Sequence, residues 1–120
     1  MMNNDIKQIF DQKHLFITSI NIGNNIEQYL IWSIKFDAPL GFIFVRFRSN
    51  QENRLIGEVL DWYVLPWARR NGIATSLYNH VSQYAYTLYT ANGSDDGGKD
   101  LLTKLGFTCD DKGLWIKKCC

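Results

Sequence analysis

A chain of 120 residues with 46% hydrophobic, 14% aromatic and 21% charged side chains suits one folded domain over residues 1–120 and is too apolar for disorder. Thirteen basic and twelve acidic residues leave a formal net charge of +1, so no global field draws the chain to nucleic acid or a membrane surface, and any electrostatic function has to be local. The N-terminus, Met1-Met2-Asn3-Asn4-Asp5, lacks a basic stretch followed by an apolar one, and no apolar run approaches the roughly 20 residues that span a bilayer. The expectation is a cytoplasmic protein with neither nucleic acid nor membrane as partner. Cys109, Cys119 and Cys120 are an odd number with two adjacent, which is no disulfide framework. Neither His14 nor His80 stands at a ligand spacing from them, so no metal is expected.

In chain order, Asn4 to His14 places Ile6, Ile9 and Phe10 on one face behind an Asn/Asp cap, the pattern of a short amphipathic helix. Leu15 to Ile22 alternates loosely and meets Gly23-Asn24-Asn25, a turn cluster that sends Ile26 to Phe36 back as a hairpin partner. Asp37-Ala38-Pro39 is a turn, Leu40 to Phe47 a third strand dense in Phe and Val, and Arg48 to Asn53 a polar loop. Arg54 to Leu65 is a fourth strand, long enough to need a bulge. A helix from Gly72 to about Tyr84 crosses to a fifth strand, Tyr86 to Ala91. A strand, helix and strand in this order make a right-handed crossover, so strands four and five are predicted to be parallel. Asn92 to Gly98 reads as a loop, Lys99 to Leu105 as a helix closed by Gly106, and Phe107 to Cys109 with Leu114 to Lys118 as a last hairpin.

The organising stretch runs from Leu60 to Leu77. Pro66 stops an apolar strand by removing a ladder donor, Arg69, Arg70 and Asn71 lead into Gly72, and Ile73, Leu77, Val81 and Tyr84 then recur at helical spacing. At a helix start the first N–H groups lack partners and the macrodipole is positive, so an anion is stabilised there. Gly72 and the small Ala74 let a phosphate come close to the backbone, and two arginines add charge.

Val64-x-Pro66-x-x-Arg69-x-x-Gly72-Ile73-Ala74-x-x-Leu77 resembles the central motif of the GNAT superfamily of N-acetyltransferases. That signature, Arg/Gln-x-x-Gly-x-Gly/Ala, opens the helix that grips the pyrophosphate of coenzyme A. Arg69, Gly72 and Ala74 hold its defining positions, and Lys104-Leu105-Gly106-Phe107 matches a second landmark. The resemblance implies an α+β fold: a mixed, mostly antiparallel sheet with one parallel pair around an acetyl-CoA cleft, and helices on both faces. It implies acetyl-CoA as acetyl donor, with pantetheine along the backbone of Tyr63, Val64 and Leu65 and pyrophosphate on Arg69, Arg70, Asn71, Gly72, Ile73, Ala74 and Thr75. The thioester oxygen is expected at the N–H of Val64, at a bulge of the fourth strand. Glu58 matches the glutamate that accepts the amine proton, usually through water, while Asp61, on the opposite pleat by strand alternation, is the weaker candidate.

Two departures stand out. The family tyrosine that protonates the leaving thiolate corresponds to Leu102, which has no proton to give; Tyr63, Tyr86 and Tyr89 are possible replacements, and solvent can serve a thiolate whose reference pKa is about 8.5. The family also inserts two helices between its first and second strands, where this chain has room for a turn. An open acceptor side is expected unless the helix at Asn4 to His14 walls it. The expected activity is acetyl transfer to a primary amine, a lysine or N-terminal amine of a protein. The alternatives are a small-molecule amine as acceptor, or a non-catalytic acyl-CoA sensor.

Overall fold

The computed structural model describes residues 14–91 and 96–119. The helix expected from Asn4 lies, apart from His14, outside the described residues. Seven strands, β1 (Leu15–Asn21), β2 (Ile26–Ser33), β3 (Ala38–Ser49), β4 (Leu55–Val64), β5 (Thr87–Thr90), β6 (Thr108–Cys109) and β7 (Trp115–Lys118), form one sheet in the order β1-β2-β3-β4-β5-β7-β6. Every neighbouring pair is antiparallel except β4 and β5. The described helices are α1 (Ile73–Ser82) and α2 (Asp96–Lys104), with a 3₁₀ turn at Pro66–Ala68.

The β1–β2 turn is as short as its sequence requires. Gly23, Asn24 and Asn25 all take positive φ, of 98°, 56° and 62°, and the Asn21 carboxamide oxygen accepts the Gly23 N–H at 3.0 Å. Register pairs Asn21 with Glu27, so nothing is inserted between these strands. β2 ends at Ser33 rather than Phe36, because the Ser33 hydroxyl captures the Phe36 N–H at 3.2 Å and Asp37 turns at φ 49°. β3 outruns its expected span at both ends, since pairing with β2 and β4 reaches Ala38 and Ser49. α2 begins at Asp96, inside the stretch that composition assigns to a loop. Its glycines are weak helix formers, a preference of about 1 kcal/mol per residue that burial of Leu102 in the core overrides. Gly106, at φ 92°, caps the helix as expected, with the Phe107 N–H returning to the Leu102 carbonyl at 2.9 Å.

α1 presents Ile73, Leu77, Tyr78 and Val81 to a core with Ile31, Ile43, Val45, Val59 and Leu88. The other face of β1 to β4 carries Phe16 against Trp32, and Phe42 against Phe44 and Tyr63. Two irregularities in β4 open the sheet on one side. Phe44 pairs with Asp61 and Val45 with Val59, which leaves Leu60 as the extra residue of a bulge. The parallel ladder to β5 spans only Ile56 to Glu58, after which the Thr90 hydroxyl reaches the Val59 carbonyl at 3.1 Å. β4 then runs on to Val64 while β5 stops, and the two strands part.

Candidate active site

Where β4 and β5 part, a cleft of about 1040 Å³ opens. Asp61, Trp62, Tyr63 and Val64 form one wall, the turn from Arg69 to Thr75 the floor, and Gly98, Asp100, Leu101 and Lys104 of α2 the other wall. All the residues expected around the coenzyme line it except Leu65 and Asn71. Leu65 is turned to the sheet, its N–H bonded to the Leu40 carbonyl at 2.9 Å. Asn71 braces the turn instead, its amide donating to the Ala68 and Arg69 carbonyls at 3.2 and 2.9 Å.

The backbone of β4 has a defined polarity here. Hydrogen-bonded and non-hydrogen-bonded pairs alternate in an antiparallel ladder. Because Leu65 bonds to Leu40, the pairs Val64 with Gly41 and Trp62 with Ile43 turn their polar groups away from β3, toward the cleft. Side chains already answer two of these groups: the Arg69 Nε donates to the Val64 carbonyl and the Asp61 Oδ1 accepts the Trp62 N–H, both at 2.9 Å. The Val64 N–H faces the cleft as well. It does so without a bulge of its own, which corrects the expectation for Val64: the bulge is at Leu60, four residues earlier.

Below the strand, Arg70 and Gly72 take φ of 66° and 77° and swing the chain into α1. The first helical hydrogen bond is Ser76 N–H to the Gly72 carbonyl at 2.9 Å, so the N–H groups of Ile73, Ala74 and Thr75 precede it and point out of the helix end. No acidic residue occupies the first turn. A Cβ on Gly72 would meet nothing within 4 Å, so the space above it is open and the glycine is required by its backbone angle. The two arginines divide the work. Arg69 is fastened to the Val64 carbonyl with its guanidinium carbon 5.3 Å from the Tyr63 ring centre, whereas exposed Arg70 lines the cleft.

The carboxylates sit differently from the simple alternation. Glu58 opposes Arg46, Asp61 opposes Phe44, and Tyr63 opposes and stacks on Phe42. Arg46, Phe44 and Phe42 alternate along β3 on one face, so Glu58 and Asp61 share that face. The extra residue at Leu60 corrects the expected opposite pleat, because one added residue reverses the side of everything after it. Glu58 is half-buried with its Oε1 3.6 Å from the Arg46 Nη1 and does not line the cleft; Asp61 is exposed and does.

Of the tyrosines considered, Tyr63 lines the cleft, while Tyr86 and Tyr89 lie under Arg54 and Arg48 outside it. Leu102 is fully buried. Sequence reasoning missed Tyr78. Its ring meets Trp62 and Phe107 edge-on at 5.6 and 5.7 Å, and its buried hydroxyl has no hydrogen-bond partner among the described residues. Burial, and then the Asp61 carboxylate, raises its pKa. The available signal was a tyrosine next to Leu77 on the apolar stripe of α1. His80 packs on Tyr29 and Tyr84, and burial lowers its pKa.

The family model described as "Acetyltransferase (GNAT) family" matches residues 4–107. The chain belongs to the GNAT acetyltransferase family. Solved structures similar to this GNAT chain include Arabidopsis thaliana NAA60 in complex with a bisubstrate analogue, at TM-score 0.65 and 16% identity over 80% of this chain and 76% of that one. AAC(6')-Iy in complex with the bisubstrate analogue CoA-S-monomethyl-acetylneamine gives 0.65 and 13%, over 79% and 91%. Arabidopsis thaliana Naa50 in complex with the bisubstrate analogue CoA-Ac-MVNAL gives 0.59 and 20%, over 70% and 58%. No curated protein matches in sequence. At these identities the likeness concerns the fold, and the mixed seven-stranded sheet with one parallel pair is the GNAT architecture.

Proposed function

We propose that this GNAT chain transfers the acetyl group of acetyl-CoA to a primary amine, a lysine or N-terminal amine of a protein. The observation that carries the reading is the parted β4 edge, which ends within a few residues on a helix N-terminus. An edge with outward N–H and C=O groups matches the amides of pantetheine, and the three N–H groups that precede the first helical hydrogen bond, beside Arg70, match a pyrophosphate. Neighbours of this fold that hold CoA-based bisubstrate analogues support the choice of ligand.

The pieces imply a direct transfer. Bound along β4, the thioester directs its oxygen at the Val64 N–H, a donor fixed before the charge develops and therefore free of reorganisation cost. The amine approaches from the face that carries Glu58 and Asp61, and one of these carboxylates takes its proton: Glu58 by the family pattern, Asp61 by its place on the cleft wall. The nitrogen attacks the thioester carbon, and coenzyme A departs as a thiolate that solvent protonates, since a buried leucine stands at position 102.

That leucine also favours a second reading, an acyl-CoA sensor that binds without turnover. The two separate by thiol release. An enzyme frees coenzyme A repeatedly when peptides with free amines are supplied, whereas a sensor holds one equivalent and frees none.

A further inference from the structure

Two carboxylates share the acceptor face of β4, and their surroundings differ. We infer that Asp61, rather than Glu58, is the group that takes the proton from the acceptor amine, an assignment that rests on the proposed acetyl transfer. The first argument is distance. A strand advances about 3.3 Å per residue, so by the register on β3, where Phe44 is three and Arg46 five residues from Gly41, Asp61 lies about 10 Å from Val64 and Glu58 about 17 Å, and Asp61 is the nearer carboxylate. The second is orientation. Asp61 lines the cleft, and its Oδ1 is held by the Trp62 N–H at 2.9 Å. That bond keeps the carboxylate at the parted edge and leaves Oδ2 as an acceptor. Glu58 stands outside the cleft, with its Oε1 3.6 Å from the Arg46 guanidinium. The third is the bulge at Leu60, without which Asp61 would sit on the opposite face.

In the step itself an ammonium gives one proton to Oδ2, directly or through a water, and becomes a nucleophile. Its nitrogen forms the C–N bond, the C–S bond breaks, and the thiolate leaves with the electron pair. The second nitrogen proton passes through solvent to the thiolate, and the Asp61 carboxylic acid returns its proton to water. The charged and titratable groups around this position, among the described residues, are Tyr63 on β4, Arg69 and Arg70 on the turn, Asp100 and Lys104 on α2, and Tyr78 on α1, with the Glu58–Arg46 pair behind it on the sheet. Asp100 is the other carboxylate of the cleft among the described residues and has to be controlled for.

The test follows thiol release from acetyl-CoA, with lysine peptides, N-terminal peptides and small amines as acceptors, from below neutral pH to well above it. The parent protein is compared with Asp61→Asn, Asp61→Glu, Glu58→Gln and Asp100→Asn. Asp61→Asn is expected to lose about 10²–10⁴-fold in kcat/KM for the acceptor at neutral pH, the usual span of a general base. It should bind acetyl-CoA as tightly as the parent by calorimetry and recover as pH rises and more amine is neutral in solution. Asp61→Glu should retain much of the activity, and Glu58→Gln and Asp100→Asn, whatever their effect on rate, should leave the shape of the parent's pH profile unchanged. In an active parent, a pH-dependent loss carried by Glu58→Gln, or an Asp61→Asn variant that follows the parent or has lost acetyl-CoA binding, overturns the assignment alone. A parent that releases no thiol with any amine overturns the acetyl-transfer reading and this assignment together.

Discussion

At the scale of single residues, Gly72 shows how one side chain's absence serves both conformation and ligand. Its φ of 77° is costly for any residue with a Cβ, by roughly 1–2 kcal/mol, and the open space above it is where an anion would meet the helix end. Gly72→Glu is expected to abolish acetyl-CoA binding, because its carboxylate would add Coulomb repulsion to the lost space. Calorimetry on a folded variant checks this, and unchanged affinity would remove the pyrophosphate from this turn. Two buried tyrosines give the fold an alkaline limit. Tyr29 is pushed up to about 12 from 10.0, by burial first and then by Glu27 and Tyr84, and burial raises Tyr78 as well. Both hydroxyls stay protonated in the folded chain while the unfolded chain ionises near pH 10. The Tyr29 contribution is therefore complete below pH 10 and is lost as pH rises through about 12, and that of Tyr78, whose pKa burial raises further, is lost only at higher pH still. Tyrosinate absorbance and circular dichroism followed together should show these tyrosines ionising with unfolding; ionisation in a chain that is still folded would contradict it.

At the scale of elements, β4 is one strand with two jobs, separated by the bulge at Leu60. Before it, β4 is a paired interior strand whose Gly57 and Val59 are buried. Beyond it, one edge still pairs with β3 while the other faces the cleft. Gly41 holds that second half in place: a Cβ there would stand 2.5 Å from the Tyr63 carbonyl oxygen and 3.3 Å from the Val64 Cα. Backbone cannot rotate out of the way, so Gly41→Ala should push β3 and β4 apart beside the cleft. The expected cost is about 1–3 kcal/mol, the range of overpacking, together with weaker acetyl-CoA binding as Val64 is displaced. Urea denaturation and calorimetry measure the two effects, and a variant with parental stability and affinity would show that the strand pair has slack.

At the scale of the whole molecule, the short β1–β2 turn bears on which acceptor the proposed transfer would take. A drug-sized ligand gains affinity by burying about 70–90% of its surface in a walled pocket, and the described sheet supplies no helix between its first two strands to build such a wall. A protein acceptor brings its own contact surface and draws orientation from contacts remote from the reacting nitrogen. Exposed Phe36 and Trp67, packed edge-on at 5.1 Å, offer an apolar surface of the kind that marks contact with a partner. Peptides and protein extracts are therefore expected to gain enzyme-dependent acetyl groups more efficiently than free small amines. A screen with the reverse ranking would favour a small-molecule acceptor.

The sequence by itself determined what is local. Pro66 after an apolar run, glycine before a helical repeat, and Gly-Asn-Asn between alternating strands act through φ preferences and missing donors within a few residues. For that reason the turn into the helix at Gly72, the hairpins and the parallel crossover were legible. The ends of β2 and α2 were less so, because a serine hydroxyl and the burial of Leu102 outweighed composition. The face on which Asp61 stands was decided only by the tertiary structure. Alternation counts residues along one strand, whereas a bulge is a mismatch between two, and the placement of Leu60 outside the ladder depends on how β3 and β4 pair across a distance no local pattern spans. The packing of Tyr78 between Trp62 and Phe107 belongs to the same class: it is a contact between elements that meet only once the sheet and α1 have packed.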